Sequence, residues 1–351
     1  MLRIREILAA SALLACADVN SVVGGACATG YVEQGNACVP ASSVVGDDGG
    51  IVTTNDDGGA NANPIPHRDG GTTGDGDSST GTNPTSTVGP GFFCIAPEVQ
   101  CGSECIDTTS DPNNCGACGH VCPSNSCVAS KCVGSAPGHV VMIGHDYATA
   151  PSTFSSQARV LSNATLLPAS NPLRVMSYEQ YADASSVKNA EGVVNAEAKQ
   201  LGRSINFVAI TSSQTVSSTI DVNAYDVLLV HDQKNAPGGT LSNIGTSWES
   251  DGKVAGFLHA GGVVIVLSGG TGTAEMPDLA TNAQLLSVNS QTAIAGALPV
   301  LAPADAIGSG VVSPYIPKPS TVSLDTEANG GNVVWVVAQN GVPVVVHKIM
   351  P

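Results

Sequence analysis

From about Pro137 onward, short runs of β-branched and aliphatic residues alternate with segments of helical periodicity. That alternation predicts an α/β domain on a doubly wound, mainly parallel sheet. Two further observations set what precedes it. All eleven cysteines lie at or before Cys132, so a small disulfide-rich module is expected ahead of the sheet. Residues 41–91 are Gly, Asp, Thr, Ser and Asn with scattered Pro, a composition that buries too little apolar surface to offset its ordering entropy and reads as a disordered linker.

The sheet strands are read at 139–144 (HVVMIG), 173–178 (LRVMSY), 205–210 (INFVAI), 227–231 (VLLVH) and 263–267 (VVIVL). Runs of this kind without polar alternation predict parallel strands buried on both faces. Between them, Val187, Ala190, Val194, Ala198 and Leu201 fall at helical spacing and stop at Gly202, a natural C-terminal signal. Thr246 to Glu249 has capping-box form and predicts a helix starting there, carrying Val254, Phe257 and Leu258 inward as far as Gly261. Residues 332–346 read as a closing hairpin that turns at Asn340 and Gly341. The α/β domain is therefore placed at 137–351.

At the other end, Arg3 and Arg5 precede an apolar run over residues 7–15 that ends in Leu-Leu-Ala-Cys at Cys16. The run is shorter than the roughly 20 residues of a membrane-spanning helix but matches a signal h-region. The LLAC sequence resembles the bacterial lipoprotein processing site. That resemblance implies a signal peptide at 1–15, cleavage before Cys16, lipidation of Cys16, and the membrane as a partner through the acyl chains. Glu6 keeps open the alternative of an ordinary signal peptide with a chance cysteine. Ala17, not an acid, follows Cys16, and by the same resemblance this favours the outer membrane or cell surface over inner-membrane retention; a periplasmic-facing location is also open.

Without Cys16 an even number of thiols remains, as an exported disulfide framework requires. Net charge is −16 with only 13 Lys and Arg. No basic patch is available to neutralise phosphates, so nucleic acid is excluded as a partner. Cys27 and Cys38 flank Gly30, Tyr31 and Gly35, and this piece of the 16–40 region resembles the last loop of an epidermal-growth-factor-like module; the alternative is a plain disulfide-closed loop. The linker carries Asp47, Asp48, Asp56, Asp57, Asp69, Asp75 and Asp77 against the single base Arg68. As a flexible chain it would span roughly 40 Å. It lacks a full calcium-loop pattern, so a solvated tether is preferred over a cation site.

Cys94, Cys101, Cys105, Cys115, Cys118, Cys122, Cys127 and Cys132 fall within 92–133. A segment this short cannot stabilise itself by an apolar core and needs cross-links. Eight cysteines allow 105 pairings, so the connectivity stays open. The C-x2-C spacing of Cys115 and Cys118, with Cys122 and His120 near, offers a metal site as the alternative to disulfides. The Cys-Gly-x-x-Cys opening at Cys101, Gly102 and Cys105, followed by Asp111, Pro112, Asn114, Cys115, Gly116, Cys118 and Gly119, resembles the repeat of the stigma-specific protein family. That resemblance implies an extracellular spacer or interaction unit.

In doubly wound sheets, ligands sit outside the carboxyl ends of the strands. His145, Asp146 and Tyr147 follow the first strand here, Glu179 and Tyr181 the second, His231, Asp232 and Gln233 the fourth, and Ser268, Gly269 and Gly270 the fifth. The GGVVIVLSGG stretch and the strand pattern are similar to the flavodoxin-like domains of the class I glutamine amidotransferase and trehalose-utilisation-protein superfamily. There a strand of this kind delivers a functional Cys or His; here the position is Ser268, and His347 is followed by Lys348 and Ile349 instead of by the family's His-x-Glu pairing. The resemblance therefore implies the fold and not the chemistry.

Two functional readings follow. In one, Ser268 is a nucleophile, His231 or His145 its base, Asp232 or Asp146 the orienting acid, and the Gly269 and Gly270 amides the oxyanion donors. In the other, preferred, the domain is a non-catalytic binding or structural unit of the envelope, with an envelope protein or glycan as partner, whose crevice holds a small polar or glycan ligand or nothing. The sequence after the first strand, GHDY, is no phosphate-cradling glycine loop, and no H-x-H or HExxH spacing is present. Neither a cofactor nor a metal is expected, a divalent metal on the free His and Asp residues being the lesser alternative.

Overall fold

The computed structural model describes residues 31–34, 37–40, 94–270 and 275–351. The chain divides into two compact units, Met1–Asn83 and Pro84–Pro351. In the first, β1 (Tyr31–Gln34) and β2 (Ala37–Pro40) form an antiparallel hairpin with Tyr31 opposite Pro40. Cys16, Cys27 and the linker lie outside the described residues.

The second unit opens with the disulfide-rich module. Two antiparallel hairpins, β3 (Val99–Cys101) with β4 (Glu104–Ile106) and β5 (Cys127–Val128) with β6 (Lys131–Cys132), are its only regular structure among the described residues. The bonds are Cys94–Cys105, Cys101–Cys118, Cys115–Cys127 and Cys122–Cys132. With Cys115, Cys118 and Cys122 all in disulfides, no thiolate is left for the alternative metal site, and His120 instead lies between the carbonyls of Cys115 and Val222. Cross-links over loops of this size stabilise by about 2–4 kcal/mol each.

This module is docked on the α/β domain. The Asn171 amide donates to the Gly119 carbonyl at 2.9 Å, the Val121 amide to Ser170 Oγ at 3.2 Å, and the Cys132 amide to Asn223 Oδ1 at 2.7 Å. A Cβ on Gly119 would lie within bonding distance of the Asn171 carbonyl oxygen, and its φ is +72°, so only glycine permits the approach.

The domain is a seven-stranded sheet in the order β14-β15-β7-β11-β10-β8-β9. Here β7 is Gly138–Ile143, β8 Leu173–Tyr178, β9 Ile205–Ile210, β10 Val227–Val230 and β11 Val263–Leu267, all parallel. β14 (Val333–Gln339) and β15 (Val342–Met350) are the closing hairpin, and β15 pairs antiparallel with β7. β12 (Val288–Ala293) and β13 (Val322–Thr326) form a separate two-stranded ladder.

Alternate residues of each strand enter opposite cores. Val141 and Ile143 pack with Ala158, Leu161, Ala190 and Val194 from α1 (Ser156–Thr165) and α2 (Ala184–Gln200). Val140 and Met142 share the other core with Val216, Leu241, Trp248, Phe257 and Leu279. These come from α3 (Ser213–Thr219), α4 (Thr240–Asp251), α5 (Lys253–His259) and α6 (Met276–Asn282). The helix after β8 thus covers one face and the helix after β10 the other, which makes the gap between these neighbouring strands a topological switch point.

Two sequence expectations are corrected. β9 is an edge strand with Asn206 and Ala209 exposed, because only β8 flanks it, so it is not buried on both faces. Thr246 does not cap a helix. It lies inside α4, its hydroxyl bonded to the Ser242 carbonyl, and the break comes at Gly252, whose φ of +65° separates α4 from α5.

Candidate functional site

The crevice at the carboxyl ends of β7, β10 and β11 brings together five of the residues expected there: His145, Tyr147, His231, Asp232 and Gly269. It is nearly filled. The free volume is about 10 Å³, room for no more than about one water molecule.

Several of the polar side chains around it are tied to partners inside the protein, although Nδ1 of His145 and Nδ1 of His231 have none among the described residues. His145 is fully buried and bonded through Nε2 to the Tyr315 hydroxyl at 2.7 Å. Burial pushes its pKa down to about 3, so it is a neutral imidazole. The Asp146 carboxylate accepts from the Ala148 amide, and the Asp146 carbonyl accepts from the Gln157 side chain. The Tyr147 hydroxyl donates to the Gln157 carbonyl, which straps this loop to α1. Gln233 is a brace: its amide nitrogen donates to the carbonyls of Tyr178 and His231, and its oxygen accepts from the Tyr181 amide.

Ser268 is buried, and its hydroxyl donates to Gln291 Oε1 at 2.5 Å. Neither histidine reaches it by a hydrogen bond among the described residues: His145 is held by Tyr315, and His231 Nε2 by Ser177 Oγ at 2.9 Å. The Gly270 amide is bonded to the Ser320 carbonyl and so is not free to hold an oxyanion. The glycines here are steric requirements. A Cβ on Gly269 would strike the His145 carbonyl, and one on Gly270 would strike Asp232 Oδ2. Asp232 is raised to about 7, first by burial and then by the neighbouring Asp146 charge, with Lys234 opposing.

Glu179 does not line this crevice but a second hollow of about 440 Å³, with Lys188, Glu191 and Asn195. Glu191 comes from α2 and accepts from Ser177 Oγ at 2.8 Å. Burial and then the charge of Glu179 raise its pKa, against the Ser177 bond. Sequence patterns missed Glu191 because it belongs to a helix whose apolar spacing gives no sign that one polar position turns towards the sheet.

A third feature went unread for lack of any local signal. His139 Nδ1 and His347 Nε2 are 2.9 Å apart, and His347 Nδ1 is 2.9 Å from Asp305 Oδ2. His139 also lines a mainly apolar groove of about 570 Å³ walled by Val121, Pro123, Pro137, Leu167 and Tyr225, where the module meets the domain.

Fold and site together define a doubly wound α/β domain with a docked disulfide-rich module and a closed crevice at its strand ends. Comparisons with family models, curated proteins and solved structures find no match to the chain.

Proposed function

We propose that this is a bacterial envelope lipoprotein, anchored through lipid on Cys16 at the outer membrane or cell surface. It presents a stigma-specific-like module and an α/β domain that binds or scaffolds an envelope protein or glycan and does not catalyse a reaction. The anchor rests on the LLAC resemblance; among the described residues no helix is long and apolar enough to cross a membrane. The observation that carries the non-catalytic reading is the state of Ser268. Its hydroxyl is committed to Gln291, and neither candidate base is hydrogen-bonded to it, Nε2 of His145 being held by Tyr315 and Nε2 of His231 by Ser177. A nucleophile needs a base within hydrogen-bond reach and space for a substrate carbonyl, and the crevice offers neither.

The test is exposure of the full chain to a fluorophosphonate probe beside its Ser268→Ala variant. No labelling of the folded protein is expected. Labelling that disappears in the variant would instead establish the serine-hydrolase alternative, with His231 and Asp232 as its partners. The anchor is tested separately by fatty-acid labelling in cells, expected in the wild type and lost in Cys16→Ser; labelling that persists in the variant would overturn it.

A further inference from the structure

We propose that Glu179, Glu191 and His231 form a binding site for one divalent transition-metal ion, of the zinc type, at the switch point between β8 and β10. One donor atom from each residue lies within 4.8 Å of the other two, and His231 Nε2 is 4.0 Å from Glu191 Oε1. Ligands at about 2.0–2.2 Å around one tetrahedral ion lie about 3.3–3.6 Å apart, so an ion fits after the side chains close by about 0.5–1.5 Å.

The donors reach this point from three elements. Glu179 is the first residue beyond β8, His231 the first beyond β10, and Glu191 projects from the second turn of α2. More than an acidic cluster is present, because the third member is an imidazole only 1 % exposed, whose Nε2 is turned towards Glu191. Placing a buried imidazole against two carboxylates makes sense when a cation holds them together. Among the described residues no lysine or arginine does so, since neither Glu179 nor Glu191 is ion-paired to one. Ser177 Oγ, 2.9 Å from His231 Nε2 and 2.8 Å from Glu191 Oε1, bridges these two donors; an ion on Nε2 would replace the Ser177–His231 bond, while Ser177 would keep its bond to Glu191 and orient that carboxylate.

Access comes from the hollow lined by Glu179 and Glu191, which leaves positions on the ion for water. One nitrogen and two carboxylates suit zinc or manganese better than calcium, which takes six to eight oxygens. As the structure stands, the Ser177 hydroxyl donates to Glu191, so Nε2 of His231 carries hydrogen and donates to Ser177 Oγ. Coordination through Nε2 moves that proton to Nδ1, and the imidazole stays neutral. The site stands whether or not the domain is catalytic.

The experiment uses the full chain, stripped with a chelator and titrated with Zn²⁺ against a chromophoric competitor. Co²⁺ then serves as a spectroscopic probe. One Zn²⁺ per chain is expected, unaffected by millimolar Ca²⁺, with a visible Co²⁺ band. Glu179→Gln and Glu191→Gln, both at half-buried positions that tolerate an amide, should each weaken Zn²⁺ by at least about tenfold while keeping the circular dichroism and melting temperature of the stripped wild type. No saturable Zn²⁺ binding, or equal affinity in both variants, would overturn the site. So would loss of Zn²⁺ in His139→Gln alone, which would move the ion to the His139–His347 pair.

Discussion

At the scale of single residues, buried polar groups carry the sharpest expectations. His145 has its pKa pushed from 6.5 to about 3 by burial. The unfolded chain therefore takes up the proton first, and the stability this residue contributes is complete above pH 6.5 and lost as pH falls towards 3. Between pH 7 and pH 5 that loss is about 2 kcal/mol. Urea midpoints at the two pH values should fall further for the wild type than for His145→Gln by about this amount; parallel pH dependences would contradict it. Asp226 gives a second case. It holds Arg174 at 2.7 Å, with side chains 5 % and 20 % exposed, and also accepts from Ser170. Removing the acid leaves a largely buried guanidinium uncompensated, so Asp226→Ala should cost about 3–5 kcal/mol in chemical denaturation.

At the scale of elements, what could be read depended on whether the determining contacts are local. Three of the five parallel strands run over the residues expected, and the closing hairpin turns at Asn340 and Gly341, because β-branched runs and a positive-φ turn are written in adjacent positions. Helix α1 escaped notice. Its Gln157, Ser162 and Thr165 are buried and blur the apolar stripe that periodicity needs. The site divides the same way: crevice residues at strand ends could be named in advance, whereas Glu191 and the Asp305–His347–His139 chain arise from distant segments meeting. Docking of the module is also non-local, and it hinges on Gly119. Gly119→Ala should lower the melting temperature by several degrees through loss of the contact at Asn171, while Gly256→Ala, in α5 with open space around it, should stabilise by about 0.5–1 kcal/mol. Thermal melts of the pair read both signs.

At the scale of the whole molecule, the disulfide module and the sheet domain belong to one compact unit. The module's hydrogen bonds reach Ser170, Asn171 and Asn223, residues at the amino-terminal approach to β8 and β10. Reduction of the four bonds should therefore lower the melting temperature of the sheet as well as of the module, in one calorimetric transition. Two separate transitions, with the sheet's unmoved by reductant, would show that the docking carries no energy.

The position of β15 bears on how the molecule is made. It fills the place between β14 and β7, pairing His347 beside Val141, and His139 and His347 are 208 positions apart. During synthesis β7 emerges long before this partner exists, so one of its edges stays unpaired while most of the chain is still being assembled. An apolar strand edge left open in that interval is a template for a neighbouring chain. The nascent protein thus depends on being held apart from its own copies until its last strand arrives.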